Sequence, residues 1–277
     1  MQKKLLKKYM CNILENVQNK IQKIITQNNN SNSKKYINDL FICNFLPSDT
    51  AIRIYNKSYI KRLSSCINNT LILSCQLVGI DTWQYYVNQY INISSTKYTD
   101  IRFIVNDFAN FMQLKYLNLP LTEAILFEIA LERIGDSEEQ NIFHIDDLFS
   151  LTEEELLICK FSLANNMHYC LLKNNIKQIW QHHIKTKLAN NAKLKLLEKP
   201  EYCLIWRNNS QSISYKNITK QEYKFLEKLS QPQNIIQLAE SYINNITNND
   251  NFNIKNLITF IKSQLIQLIN LKIIINE

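Results

Sequence analysis

The stretch YCLIWRNNSQSISYKN, Tyr202–Asn217, decides whether this chain is all helix or carries a sheet. Two runs rich in β-branched and aromatic residues, YCLIWR (Tyr202–Arg207) and SISYKN (Ser212–Asn217), flank the turn-prone NNSQ, which is the pattern of a β-hairpin. Strand side chains alternate, so Tyr202, Leu204 and Trp206 fall on one face and Cys203, Ile205 and Arg207 on the other. Both faces are partly apolar, and at least one has to be covered.

Upstream, MHYCLLK (Met167–Lys173) fits a further strand and NIKQIWQHHI (Asn175–Ile184) a short helix. Downstream, Thr219 and Glu222 form a capping box that opens KQEYKFLEKLS; the helical patterns IIQLAESYI and NIKNLITFIKSQLIQLI follow, and the chain ends in KIIINE, which suits a strand. Hairpin, three helices and a terminal strand make a winged-helix-like order. Such modules bind DNA in some proteins and peptides in others, so the fold alone selects neither.

The first half is helical throughout. From Leu5 to Ile25 apolar residues recur at helical spacing with lysines opposite, and the polar tract Gln27–Lys35 reads as a connector. After Pro47, Ile52, Tyr55, Tyr59, Leu63 and Cys66 form one stripe, and Gly79 supplies a stop where a left-handed cap is wanted. Asp81 with Gln84 makes a capping-box pattern, Asp100 can cap IRFIVNDFANFM, and Pro120 fits the first turn of a helix reaching Arg133. Eight acids crowd between Asp136 and Glu155, and Gly135 opens that segment. Thr152 with Glu155 starts another helix. The expected fold is therefore mainly α with a smaller α+β part: a basic helix and polar linker over 1–40, a helical domain over 41–135, an acidic linker over 136–152 and a C-terminal winged-helix-like domain with a small antiparallel sheet over 153–277.

Composition narrows the function. Two glycines in 277 residues leave no phosphate-cradling loop, dinucleotide fingerprint or nucleophile elbow, all of which need glycines at fixed spacing. Net charge is +8, but eight lysines against Glu15 and Asp39 put +6 of it in residues 1–40 and leave the body nearly neutral. A duplex-binding surface usually concentrates positive charge, because neutralising phosphates supplies most nonspecific affinity. Seven scattered cysteines without a CxxC pair read as reduced thiols in a cytoplasmic protein. The longest apolar run, Leu257–Ile275, is cut by Lys262 and Lys272, so no membrane insertion is expected.

Candidate chemical groups have ordinary readings beside them. His182 and His183 point about 100° apart on a helix with no further ligand at helical spacing, which suits a solvated face rather than a metal. His168 and Cys170 share a strand face but make only half a ligand set. No cofactor, metal or catalytic group is expected in this chain. In DTAIRIYNKSYIKRL (Asp49–Leu63), Arg53, Lys57 and Lys61 form a row set away from the tyrosine stripe, a charged outer face over a packing helix. Arg62 projects from the flank of that stripe, where a buried salt bridge or a partner contact is expected.

Over about 15–245 the order of several motifs resembles the HvfC, BufC and MbnC-like partner proteins of multinuclear non-haem iron oxidative enzymes, a family first labelled as DNA-binding. Ile54–Tyr55, Tyr59 and Arg62–Leu63 are similar to its first helix, and Leu77–Gly79 with Trp83 and Tyr90 to its second segment. Asp107–Met112 resembles the third, and Glu128 within AILFEIALERI resembles the internal glutamate of the helix that follows it in the family. Trp180 in NNIKQIW and Trp206–Arg207 in CLIWR resemble its paired tryptophan motifs. Ala51 departs from an arginine often found there. The resemblance implies a noncatalytic subunit that binds an iron-dependent oxidative enzyme and presents the leader of a cysteine-containing ribosomal precursor peptide as a strand added to its own sheet. Iron would belong to the partner enzyme. Arg62, Trp180, Trp206, Arg207, Ile213 and Tyr215 are the expected peptide or partner contacts, and Tyr55, Tyr59, Leu63, Gly79, Trp83, Tyr90 and Glu128 the motif and core positions. The competing reading is a DNA-binding transcriptional regulator that uses the winged-helix-like half and the basic arm.

Overall fold

The computed structural model describes residues 15–19, 47–93, 100–116, 120–186, 193–243 and 254–276. Residues 15–19 are helical; the rest of the expected N-terminal helix, the polar connector and most of the basic arm lie outside the described residues. The protein is mainly α with a smaller α+β part. It divides into two compact units, Met1–Ile125 and Leu126–Glu277, so the division falls ahead of Gly135.

The first unit contains α1 (Ser48–Thr70), α2 (Ile72–Val78), α3 (Ile80–Ile93), a 3-10 turn (Ile101–Phe103) and α4 (Ile104–Lys115); α5 (Pro120–Gly135) begins in it and ends in the second unit. Its centre is aromatic. Trp83 and Phe108 meet edge to face at 5.4 Å, Tyr90 adds its ring to Phe108 at 5.5 Å, and the Trp83 indole N–H donates to Asn68 Oδ1 at 2.8 Å, which gives the buried indole the partner it needs. Ile52 and Leu63 of α1 are buried and Tyr59 is half-buried, its phenol pushed up by burial.

Tyr55 departs from expectation, because 60% of it is exposed. Taking about 100° per residue, Tyr59 and Leu63 lie within about 20° of Ile52, whereas Tyr55 lies about 60° to one side. The buried Ile67 lies about 60° to the other, so the covered stripe drifts away from Tyr55 along the helix.

Local end signals act as local physics requires. Asp100 caps the 3-10 turn by accepting from Arg102 N at 2.9 Å, and the Arg102 guanidinium on its carboxylate holds the acid below the usual range. Thr152 and Thr219 both form reciprocal capping boxes, with Glu155 and Glu222. Asp81 is a correction: α3 already begins at Ile80, so the acid sits inside the first turn, where its charge faces the helix dipole, and is not the cap. Gly79 ends α2 with φ 83° and ψ 155°. The positive φ is as expected, but this ψ belongs to the glycine-only extended region and not to the left-handed helical cap.

The second unit holds the end of α5, α6 (Ile145–Ser150), α7 (Glu153–Ile158), β1 (Phe161–Leu163), β2 (Met167–Asn174), α8 (Ile176–Thr186), β3 (Leu196–Arg207), β4 (Ile213–Ile218), α9 (Lys220–Lys228), α10 (Ile235–Ile243), α11 (Ile254–Asn270) and β5 (Ile274–Asn276). Strands β2, β3 and β4 make an antiparallel sheet with β3 central, and β5 pairs antiparallel with β1. The acidic stretch 136–152, read above as a linker, is part of this unit. Its acids face water, but Phe143 is buried and donates its N–H to Ile274 O at 2.9 Å, because apolar residues stand between the acids at positions that can turn inward.

Phe143, Phe161, Leu204, Phe225, Leu238 and Ile261 belong to one buried core that draws on α9, α10, α11 and one face of the sheet. No helix among the described residues is long and apolar enough to cross a membrane.

A Cβ at Gly79 meets nothing within 4 Å, so Gly79→Ala isolates the cost of the backbone conformation. It is expected to lower the unfolding free energy by about 1–3 kcal/mol, read as a lower denaturant midpoint at unchanged slope.

Candidate functional site

The hairpin sheet carries most of the candidate residues, and its two faces do different things. Facing residues in an antiparallel ladder share a face. Tyr169, Leu204 and Lys216 therefore lie on one side, and Cys170, Cys203, Asn217, Ile205 and Tyr215 on the other. The first side packs on the core of α9–α11: Leu204 is buried, and Tyr169 and Tyr202 meet the Tyr223 ring of α9 at 5.2 and 5.0 Å. Burial and the nearby Glu227 carboxylate push the Tyr169 and Tyr223 phenols up.

The second side is met by α8. Trp180 touches Phe127 at 5.8 Å and 75° and Tyr215 at 5.8 Å and 81°, a row of edge-to-face rings that ends on the surface, since Tyr215 is 36% exposed. One turn earlier on α8, the buried Lys177 Nζ donates to Glu201 Oε2 at 2.5 Å and to Asn217 Oδ1. Gln178 holds the other Glu201 oxygen at 3.1 Å. Lys177 thus joins α8 to β3 and β4 through groups that satisfy its charge.

Backbone direction follows from two bonds. Arg207 N donates to Asn166 O at 2.9 Å and Asn208 N to Ser212 O at 2.9 Å. With the registers running unbroken from Glu201 to Arg207, odd residues of this part of β3 bond to β2 and even residues to β4. On β4 it is then Ser214, Lys216 and Ile218 that bond to β3, while the N–H and C=O groups of Ile213, Tyr215 and Asn217 point outward. Among the described residues strand β4 has no second neighbour, and no backbone group bonds to that edge. On the opposite side, β2 keeps its register with β3 from Met167 to Leu172 and loses it between Leu172 and Asn174, where the extra residues belong to β3. A bulge of that kind bends the ladder and increases its local twist.

The hairpin turn is fixed from within. Asn208 Oδ1 accepts from Ser210 N at 3.0 Å and Ser212 N at 3.1 Å, and Gln211 takes φ 60° to close the loop. Beside the turn lies a polar cavity of about 290 Å³ lined by Glu138, Asn166, Arg207, Gln211 and Lys272 among others. Its lining is mainly polar, with Ile142 the one aliphatic residue; at the open edge of the sheet apolar character is found at Tyr215 and Ile213.

The expected contact residues are only partly brought together. Trp180 and Tyr215 meet, and Ile213 stands opposite Arg207. Arg207 is committed within the unit: Nη1 donates to Gly135 O at 2.9 Å and Nη2 to Ser137 O at 2.8 Å, closing the C-terminal end of α5. Trp206 lies on the opposite face from Trp180, packed against the α9–α11 core, so the two tryptophan motifs do not form one site. Arg62 is exposed in the other unit, with no ion pair among the described residues, so the expected buried salt bridge is absent there. Trp83, Tyr90 and Glu128 are buried. His182 and His168 are exposed and His183 is half-buried; among the described residues no group of three or more histidine, cysteine or acidic side chains is placed to hold a metal.

Sequence reasoning missed Lys177, Glu201, Asn217 and the facing of Cys170 by Cys203. Alternation sets which face a strand residue takes, but pairing it with a residue some thirty positions away requires the register. No protein-family model matches this chain, and no curated protein matches it.

Removing Lys177 strands the Glu201 carboxylate and Asn217. Lys177→Ala is expected to cost about 3 kcal/mol of unfolding free energy, whereas Arg62→Ala stays within about 0.5 kcal/mol, both read by denaturant titration.

Proposed function

We propose that this chain is a noncatalytic partner subunit that holds the leader of a cysteine-containing ribosomal precursor peptide as an extra strand on β4, for modification by a multinuclear non-haem iron oxidative enzyme. The observation that carries the reading is the outward row of backbone groups at Ile213, Tyr215 and Asn217, beside an exposed aromatic ring. Strand addition draws affinity from main-chain hydrogen bonds and selectivity from alternate side chains. The ordered motifs described above supply the enzyme and peptide classes; the iron and the oxidation belong to the partner enzyme.

The edge also states what it would prefer. On the α8 side an added strand meets Ile213 and Tyr215, and on the other side Ser214 and Lys216. A leader with apolar residues at the parity that meets Ile213 and Tyr215 and polar residues at the other matches that surface, since Lys216 already faces the Glu222 carboxylate at 3.8 Å. A segment matched to the six residues of β4 places three side chains on each face.

Proline tests the mode of binding. Tyr215→Pro removes an outward N–H without removing a bond to β3, whereas Tyr215→Phe keeps the backbone and most of the ring. With the purified full chain and a candidate cysteine-containing precursor peptide, Tyr215→Pro is expected to weaken peptide binding at least tenfold by calorimetry, Tyr215→Phe by less than threefold, and the wild type is expected to copurify with an iron-dependent oxidative enzyme. A wild-type chain that binds neither peptide nor enzyme defeats the proposal.

A further inference from the structure

Cys170 and Cys203 occupy directly facing positions on β2 and β3, at one of the pairs whose backbones exchange hydrogen bonds. At such pairs the Cα atoms stand about 5.5 Å apart, inside the range a disulfide spans. Both side chains lie on the α8 side of the sheet; their sulfurs are reduced and in hydrogen-bond contact. Cys203 is fully buried and Cys170 half-buried. Lys177 reaches the same face, its ammonium close enough to favour negative charge on sulfur.

We infer that Cys170 and Cys203 form a peroxide-oxidisable dithiol that closes to a reversible cross-strand disulfide. The inference stands on the pairing of the two strands and does not depend on peptide binding. The hydrogen bond from Cys170, aided by Lys177, holds the Cys203 thiol below its ordinary range against the opposing effects of burial and the Glu201 carboxylate, and the same hydrogen bond gives a proton a path between the two sulfurs. Moving that proton to Cys203 places the thiolate on Cys170, the member that solvent reaches. Its sulfur attacks hydrogen peroxide; the O–O bond breaks, a Cys170 sulfenic acid forms, and the departing hydroxide takes up a proton as water. Cys203 sulfur then attacks the sulfenic sulfur. The S–S bond forms, the S–O bond breaks, and a second water leaves with the Cys203 proton. Two electrons pass from the two sulfurs to the peroxide, and a thiol reductant restores them by exchange.

Other cysteines serve as internal controls. Burial pushes the Cys159 thiol up, and Cys66 and Cys75 lie in the first unit. The folded full chain is treated with a small molar excess of hydrogen peroxide, its remaining thiols are alkylated after unfolding, and its peptides are weighed without reduction. The expected result is a Cys170–Cys203 linked peptide in most molecules, lost on adding dithiothreitol, while Cys159 remains alkylated. In Cys203→Ser the link is absent and Cys170 is trapped by dimedone as the sulfenic acid. The wild-type result decides the matter if that variant fails to fold: both cysteines recovered as free thiols, Cys170 oxidised with Cys203 still free, or links to other cysteines would each overturn the assignment.

Discussion

Cys203, Leu204 and Ile205 are consecutive on β3, and none of them is exposed. Since successive strand residues face opposite ways, neither face of this sheet can be left to water. That single demand accounts for the arrangement of the second unit. The helices after the hairpin cover the Leu204 side, and the helix inserted between β2 and β3 meets the Cys203 side. Covering the second face brings a charge with it, because Lys177 lies on the inner surface of α8 and has to be met by Glu201 and Asn217 from the sheet. The ion pair and the amide tie three elements together, and both β3 and β4 take part. A strand held this way from both faces has its pleat and register fixed, which leaves its lateral edge as the place where further pairing can occur.

The two edges of the sheet are then unequal for physical reasons. Strand β2 loses register beyond Leu172, and Tyr169 turns its ring onto Tyr223. Strand β4 runs without a break from Ile213 to Ile218, and its outward groups flank an aromatic ring already set by Trp180. Preorganisation of this kind lowers the entropy lost when a flexible segment is ordered on the edge. It also separates two roles that the sequence motifs ran together: Trp180 supports a surface, while Trp206 supports the core.

What could be read from sequence divides along the range of the interaction. Capping boxes at Thr152 and Thr219, the Asp100 cap and the positive φ at Gly79 involve partners a few residues apart, and the residue types announce them. The hairpin was legible for the same reason, through NNSQ and the alternating runs around it. Tyr55 shows where periodicity alone runs out: this helix satisfies an apolar pattern while its neighbours cover only part of the stripe, and which part is a tertiary matter. The acidic segment shows the reverse error, in which charge density concealed Phe143 and Ile145 at the inward positions. Lys177 was unreadable because a lysine on an amphipathic helix is ordinarily solvated; only the arrival of Glu201 and Asn217 makes burial tolerable.

The facing cysteines follow from the same geometry that leaves β4 open. From Glu201 to Arg207 the odd residues of β3 bond toward β2, and that parity puts Cys203 on the Cys170 side while sending the bonds of Leu204 and Trp206 to β4. A one-residue slip in β2 would separate the thiols and would also carry Tyr169 from the aromatic side of the sheet to the α8 side. The burial of Tyr169 against Tyr223 therefore opposes any slip that would part the two sulfurs. Packing on one face thus enforces proximity on the other, although no residue of the α9–α11 core needs to touch either cysteine. The thiol pair is a consequence of the register, and the register is a consequence of covering both faces of one apolar strand.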